Sequence, residues 1–249
     1  MPAGQVTHRQ FRSAILDNER DVWLYAPPGS RGPGAASEPY PLLVFFDGKQ
    51  YVDSMAAPTT LDNLIAAGLL PPVIAVFVGN VRRAQELGGP STFVDVLTEE
   101  LVPWVRAHSG ATTDPARTVI AGSSLGGFAA TFAAVRRPDV FGNVLSQSGA
   151  FNWTREGDAD WAWLSREIEG VPRVPVRFWL DVGRFETVPR FGPHPDADGP
   201  TLLDTNRHLR DVLLAKGYEV HYTEFAGSHD YIWWRGTLAD GLVTLLDRR

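Results

Sequence analysis

One stretch near the middle of the chain, Val119-Ile120-Ala121-Gly122-Ser123-Ser124-Leu125-Gly126-Gly127, constrains the fold more than any other. A β-branched apolar run enters a Gly-x-Ser-x-Gly box, and the box opens directly into an Ala-rich segment. The run reads as a buried strand and the segment after it as a helix, which places the serine on a tight strand-to-helix turn. Gly122 and Gly126 carry no Cβ, so strand and helix can approach closely around it. Ser124 is thereby a candidate nucleophile. A hydroxyl attacks a carbonyl only when it is exposed, near a base and beside amides that receive the developing oxyanion, and such a turn supplies exposure and amides together. The competing reading of the same box is a Gly/Ser-rich turn without chemistry.

The remaining composition narrows the setting. A chain of 249 residues with 44% apolar content can bury a full core, and a single α/β domain over 1–249 is expected. The formal net charge of -6 argues against a nucleic-acid partner. Cysteine is absent, which removes disulfides, thiolate metal sites and a cysteine nucleophile and suits a reducing cytoplasm. Met1 to Gln10 is polar, and no apolar run approaches bilayer-spanning length, so neither an export signal nor a membrane partner is expected.

Along the chain, strand-like apolar runs alternate with helical segments, the pattern of a mainly parallel sheet covered on both faces. Val6 to Ile15 and Val22 to Ala26 read as an edge hairpin, and Pro27 to Pro41 as a loop rich in Pro, Gly and Ser. Buried strands are expected at Leu42 to Phe46, Val73 to Val78, Thr118 to Ala121, Asn143 to Gln147 and Val176 to Asp181, with a last strand at Glu219 to Phe225. Helices are expected at Phe93 to Ala107, Leu125 to Arg137, Thr201 to Lys216 and Thr237 to Leu246. This order suits an α/β-hydrolase fold without a large lid domain.

A serine on such a turn implies partners in chain order: an acid at the end of a later strand, then a histidine after the last strand. His229, in Phe225-Ala226-Gly227-Ser228-His229-Asp230, follows the last strand and is the expected general base. His8, His108, His194, His208 and His221 fall on strands, on helices or in a Pro-rich loop. Trp179-Leu180-Asp181-Val182-Gly183-Arg184-Phe185-Glu186 offers two carboxylates. Glu186, beyond the Gly183 turn, is favoured as the partner of His229. Asp181, still in the strand, suits a structural role, and Asp181→Asn is expected mainly to lower stability. Leu125 supplies one oxyanion amide, and Phe45-Phe46-Asp47-Gly48-Lys49 occupies the place of the second. There Gly48 would permit a turn that aims the Lys49 amide at the substrate oxygen.

These residues carry a wider resemblance. Val22-Trp23-Leu24-Tyr25, Phe45-Phe46-Asp47-Gly48, Arg83-Ala84-Gln85-Glu86-Leu87, Gly122-Ser123-Ser124-Leu125-Gly126-Gly127, Val144-Leu145-Ser146-Gln147-Ser148-Gly149 and Ser228-His229-Asp230 with Trp234-Arg235-Gly236 occur in that order. Together they resemble the catalytic domain of the enterochelin (ferric enterobactin) esterases, within the esterase D-like branch of α/β-hydrolases. The resemblance implies serine esterase chemistry on a trilactone siderophore of catechol-acylated serine, with Ser124 as nucleophile, His229 as base and the acid at Glu186. It implies a small-molecule ester partner and no cofactor, any iron arriving with the substrate.

Three departures bear on the substrate. The chain has no room for the extra N-terminal domain of those esterases, Gln85 stands where they resemble Arg-x-His-Glu-Leu, and Pro189 to Pro200 forms an extended loop near the acid. Asp47, Gly48, Arg83 and Trp153 are candidate substrate contacts. Trp153, with Trp161 and Trp163, can stack on an aromatic acyl group or simply pack the segment down. Arg82, Arg83, Arg184 and Arg190 can attract an anionic catecholate or form ordinary ion pairs. Rival readings are a general carboxylesterase, a feruloyl-type esterase or acyltransferase on the same scaffold, and a binder that does not cleave.

Overall fold

The computed structural model describes residues 3–30, 38–89, 91–154, 161–189 and 199–246. Residues 190–198 of the expected Pro189 to Pro200 loop, with Arg190 and His194, lie outside them, as does part of the 27–41 loop. Eight strands form one sheet: β1 Gln5–Ser13, β2 Asn18–Ala26, β3 Leu42–Phe45, β4 Ile74–Val78, β5 Thr118–Ser123, β6 Asn143–Gln147, β7 Arg177–Gly183 and β8 Glu219–Phe225. Their spatial order is β1-β2-β4-β3-β5-β6-β7-β8. β1 and β2 pair antiparallel, as do β2 and β4, while every other neighbouring pair is parallel.

β3 and β4 are apolar at every position because helices cover both faces, and successive side chains enter opposite cores. Leu42 and Val44 of β3 face one core while Leu43 and Phe45 face the other. Ile120 of β5 likewise opposes Val119 and Ala121. Helices α1 (Gly48–Asp53), α2 (Ala57–Ala66) and α9 (Tyr231–Leu246) supply the second of these cores. The opposite face is covered by α3 (Arg83–Leu87), α4 (Ser91–Asp95), α5 (Val102–Ser109), α6 (Leu125–Arg136), α7 (Trp163–Gly170) and α8 (Leu202–Ala215).

Several elements differ from the sequence reading. The helix expected over 93–107 contains a π-helical stretch, Val96–Leu101, between α4 and α5. It lies just before Pro103, which lacks the N–H that would bond the Glu99 carbonyl. Glu100 on this stretch binds the β1–β2 turn, accepting Ser13 O–H at 2.6 Å and the Ala14 and Ile15 N–H groups at 2.9 and 3.0 Å. The last helix starts at Tyr231 rather than Thr237, because Asp230 caps it: its Oδ1 accepts Ile232 N–H at 2.9 Å and its carbonyl accepts Trp233 N–H at 3.2 Å. α1, α2, α3 and α7 were not assigned from the sequence. Among the described residues no helix is long and apolar enough to cross a membrane.

Candidate active site

Ser124 joins β5 to α6 at φ 57 and ψ -123, a conformation rarely adopted by a residue with a side chain. The strain is held by four backbone bonds. Ser124 N–H donates to Gln147 O at 2.9 Å, and its carbonyl accepts Gly127, Phe128 and Ala150 N–H at 3.0, 3.2 and 2.9 Å. A Cβ on Gly122 would stand 2.4 Å from the Gly126 carbonyl carbon, so the close strand-to-helix approach requires glycine there. Leu125 opens α6, and its N–H, in the first helical position, has no intrahelical acceptor.

The turn after β7 closes on itself: Glu186 N–H donates to Gly183 O at 3.0 Å, and Gly183 N–H donates to Glu186 Oε1 at 2.8 Å. Phe185 N–H reaches Gly227 O at 3.0 Å, which ties this turn to the loop after β8. That loop carries His229, whose Nδ1 meets Glu186 Oε2 at 2.7 Å. Glu186 is 2% exposed and His229 17%. An ionised Glu186 requires the proton on Nδ1, leaving the Nε2 lone pair as a base.

Asp181 has a different environment. It is fully buried inside β7, accepts Trp179 Nε1–H at 3.2 Å, and among the described residues no donor reaches its Oδ1. Burial pushes its carboxyl up to about 7 against hydrogen bonds from Thr237, Trp179 and Gln147 that favour the charged form, with the nearby Glu186 charge adding to the rise. Of the two carboxylates the sequence offers, Glu186 is the one bonded to His229.

The loop after β3 lies beside the elbow, since the Cβ position of Gly126 is 3.2 Å from Asp47 Oδ2. Asp47 takes a left-handed conformation at φ 51 and starts α1, its carbonyl accepting Gln50 and Tyr51 N–H at 2.9 and 3.2 Å. The Lys49 N–H lies in this first turn, where a helix leaves its amides without internal acceptors. The Lys49 side chain points away from the core, pairing with Asp53 at 2.6 Å.

The Asp47 carboxylate is committed within the protein. Its Oδ1 accepts Asn80 Nδ2–H at 2.5 Å and Arg83 Nε–H at 2.6 Å, and its Oδ2 accepts Arg83 Nη2–H at 2.7 Å. Of the two candidate substrate contacts in this pair, Asp47 is 5% exposed and Arg83 44% exposed. α3 is anchored behind Arg83 by the buried pair Arg20–Glu86 at 3.0 Å.

The tryptophans divide. Trp163 is buried against Phe128 and Phe132, with centroids 5.8 and 5.6 Å apart, and Trp161 meets His208 edge-on at 5.1 Å, so both rings pack. Half-buried Trp153 lies against the end of α3, its Nε1 3.0 Å from the Cβ position of Gly88. Sequence reasoning gave no role to Asn80, Ser148 or Tyr231. Burial and the Asp47 charge push the Tyr231 hydroxyl up, while the neighbouring Arg83 charge opposes them, placing Tyr231 at the Arg83 side of the site. Ser148 was marked only as part of Leu-Ser-Gln-Ser-Gly, which was the available signal.

The sheet order, its helical cover and the serine elbow after β5 define an α/β-hydrolase fold. The chain belongs to the Esterase family, whose model, described as putative esterase, matches residues 13–245. It is 31% identical to an iron(III) enterobactin esterase of Dickeya dadantii over 98% of this chain and 55% of that protein. It is 32% identical to an iron(III) salmochelin esterase of Escherichia coli O6:H1 over 93% of this chain and 55% of that protein. The crystal structure of the enterochelin esterase of Shigella flexneri superposes with a TM-score of 0.82 at 28% identity, covering 99% of this chain and 59% of that one. The chain thus spans little more than half the length of these relatives.

Proposed function

We propose that this chain is a serine esterase that opens the ester bonds of a catecholate siderophore trilactone through an acyl-enzyme. The observation that carries the reading is the 2.7 Å bond from Glu186 to His229 Nδ1, on the same sheet edge as the strained Ser124. The names of the iron(III) enterobactin and salmochelin esterases support the substrate class. His229 takes the Ser124 proton, and Glu186 orients and stabilises the imidazolium. Ser124 Oγ attacks the ester carbonyl, whose oxyanion is received by the Leu125 and Lys49 N–H groups. His229 then protonates the leaving serine hydroxyl, and the ester C–O bond breaks. Water, deprotonated by His229, attacks the acyl-enzyme and releases the carboxylic acid with Ser124 restored.

Asp47 and Gly48 shape the oxyanion loop, while Arg83 and Trp153 meet the anionic, aromatic acyl groups. No cofactor enters the reaction, and any iron is part of the substrate. The absence of cysteine suits a cytoplasmic setting. The test is hydrolysis of a catecholate trilactone beside short p-nitrophenyl esters by wild type and Ser124→Ala, with products followed by mass. Opening of the trilactone that is lost in Ser124→Ala and outpaces the short esters is expected. Activity on short esters alone would contradict the substrate assignment.

A further inference from the structure

The Glu186–His229 bond is the end of a longer hydrogen-bonded chain. Trp234, in the first turns of α9, donates its indole N–H to Ser148 Oγ at 2.9 Å. Ser148, just beyond β6, donates its hydroxyl proton to Glu186 Oε1 at 2.5 Å. Chemistry fixes the direction of both bonds. An indole nitrogen only donates and a carboxylate only accepts, so Ser148 receives from Trp234 and gives its single proton to Glu186.

The chain is shielded from water, because Ser148 is fully buried and Trp234 is 3% exposed. Ser148 is itself held at φ 47, with its N–H bonded to Asp181 O at 2.7 Å. Such a conformation persists in a residue with a side chain only where its surroundings overdetermine it. The Trp234 ring also stands edge-on to the His229 imidazole, with centroids 4.8 Å apart at 88°. One indole therefore touches His229 directly and reaches Glu186 through Ser148. Its own position is set by Gln147, which donates to Trp234 O and Thr237 Oγ1, each at 2.7 Å, and accepts Tyr51 O–H at 2.9 Å.

We infer that Ser148 and Trp234 are positioning residues for the esterase reaction, a relay that keeps Glu186 aimed at His229 Nδ1. The inference rests on the esterase reading above. Around the relay stand the titratable groups Asp181 of β7, Tyr51 of α1 and His229 of the β8–α9 loop. Against these, the Ser148 hydroxyl and the Gly183 N–H are the donors that neutralise Oε1. Removing the hydroxyl leaves more charge on the carboxylate facing the imidazolium. The imidazolium is then held more tightly, and the acid limb of the pH profile moves upward.

The test measures kcat, KM and the pH profile of kcat/KM on a p-nitrophenyl ester for wild type, Ser148→Ala, Ser148→Gly, Trp234→Phe and the Ser148→Ala/Trp234→Phe double variant. Fluorophosphonate labelling of wild-type Ser124 is done first. Ser148→Ala is expected to lower kcat by about 10–100-fold, the loss of one hydrogen bond to a charged group, with KM nearly unchanged and the acid limb shifted up by roughly half a pH unit. Ser148→Gly, which relieves the backbone strain, must show the same loss. Trp234→Phe keeps the ring against His229 and is expected to cost about 3–10-fold, the loss of one neutral hydrogen bond. Because the indole N–H acts through Ser148, the double variant should fall no further than Ser148→Ala alone. Wild-type kcat in both Ser148 variants, an unmoved acid limb, or additive losses would overturn the relay. Failure of wild-type Ser124 to label would instead overturn the esterase reading on which it stands.

Discussion

Asp181 and Glu186 belong to one strand end, and their surroundings give them opposite properties. Glu186 receives Ser148 O–H and Gly183 N–H on one oxygen and meets His229 on the other, so its charge is fully used. Replacing it by Gln puts an amide where an acceptor is needed and removes the charge that stabilises the imidazolium; turnover should fall by about 10³–10⁴ with little change in KM. A steady-state assay that finds Glu186→Gln within a few-fold of wild type rules out this acid. Asp181 carries a penalty instead. With its folded value raised from 3.8 to about 7, the native state holds a proton that the unfolded chain releases between these values, so stability falls as pH rises from about 4 to 7. The expectation that Asp181→Asn lowers stability is thereby reversed for neutral pH. The variant should gain about 1–3 kcal/mol on wild type at pH 8, from removing a buried charge with an unsatisfied oxygen, and lose that advantage near pH 4 in parallel urea titrations. The place of both carboxylates was legible from their distance to Gly183. The hydrogen-bond partners that separate them were not, because Ser148 and His229 reach Glu186 only when β6 and the β8–α9 loop meet at the strand end.

At the scale of elements, the elbow is a tight strand-to-helix junction. Gly122→Ala would push β5 and α6 apart, since the new methyl would lie 2.4 Å from the Gly126 carbonyl carbon. A loss of about 2–3 kcal/mol or more, an overpacking cost, should appear as a lower urea midpoint, together with weaker activity from the displaced Ser124. Farther from the site, Thr201 and Asp204 form a reciprocal cap on α8, and Thr201→Ala should cost about 1 kcal/mol without altering kcat. The strands were legible because continuous apolar runs such as Leu42 to Phe46 and Val73 to Val78 are the pattern of doubly covered strands. α1 and α3 escaped because each is too short to display helical periodicity. The early start of α9 escaped because its capping residue, Asp230, reads equally well as part of the histidine loop.

Across the whole molecule, parallel pairing of β5, β6, β7 and β8 aligns the carboxyl ends of strands far apart in sequence. Ser124, Ser148, Glu186 and His229 all follow those ends, so the carboxyl ends of the strands gather the proposed nucleophile, acid and base. At the lateral edge of the sheet, β1 and β2 pair antiparallel, and their turn is tied down by Glu100. Chain order and strand ends were sufficient to name Ser124, Glu186 and His229 as candidates from the sequence, and the Glu186–His229 bond is the part of that set the geometry brings together. The supporting links around them, Trp234 to Ser148 and Arg83 to Asp47, arise only when α9 and α3 close on the sheet. The most direct test of the account is fluorophosphonate labelling of the purified chain followed by peptide mass mapping. A single adduct on Ser124, absent in Ser124→Ala and formed far more slowly in Glu186→Gln, is predicted; an adduct on another residue, or none, would contradict it.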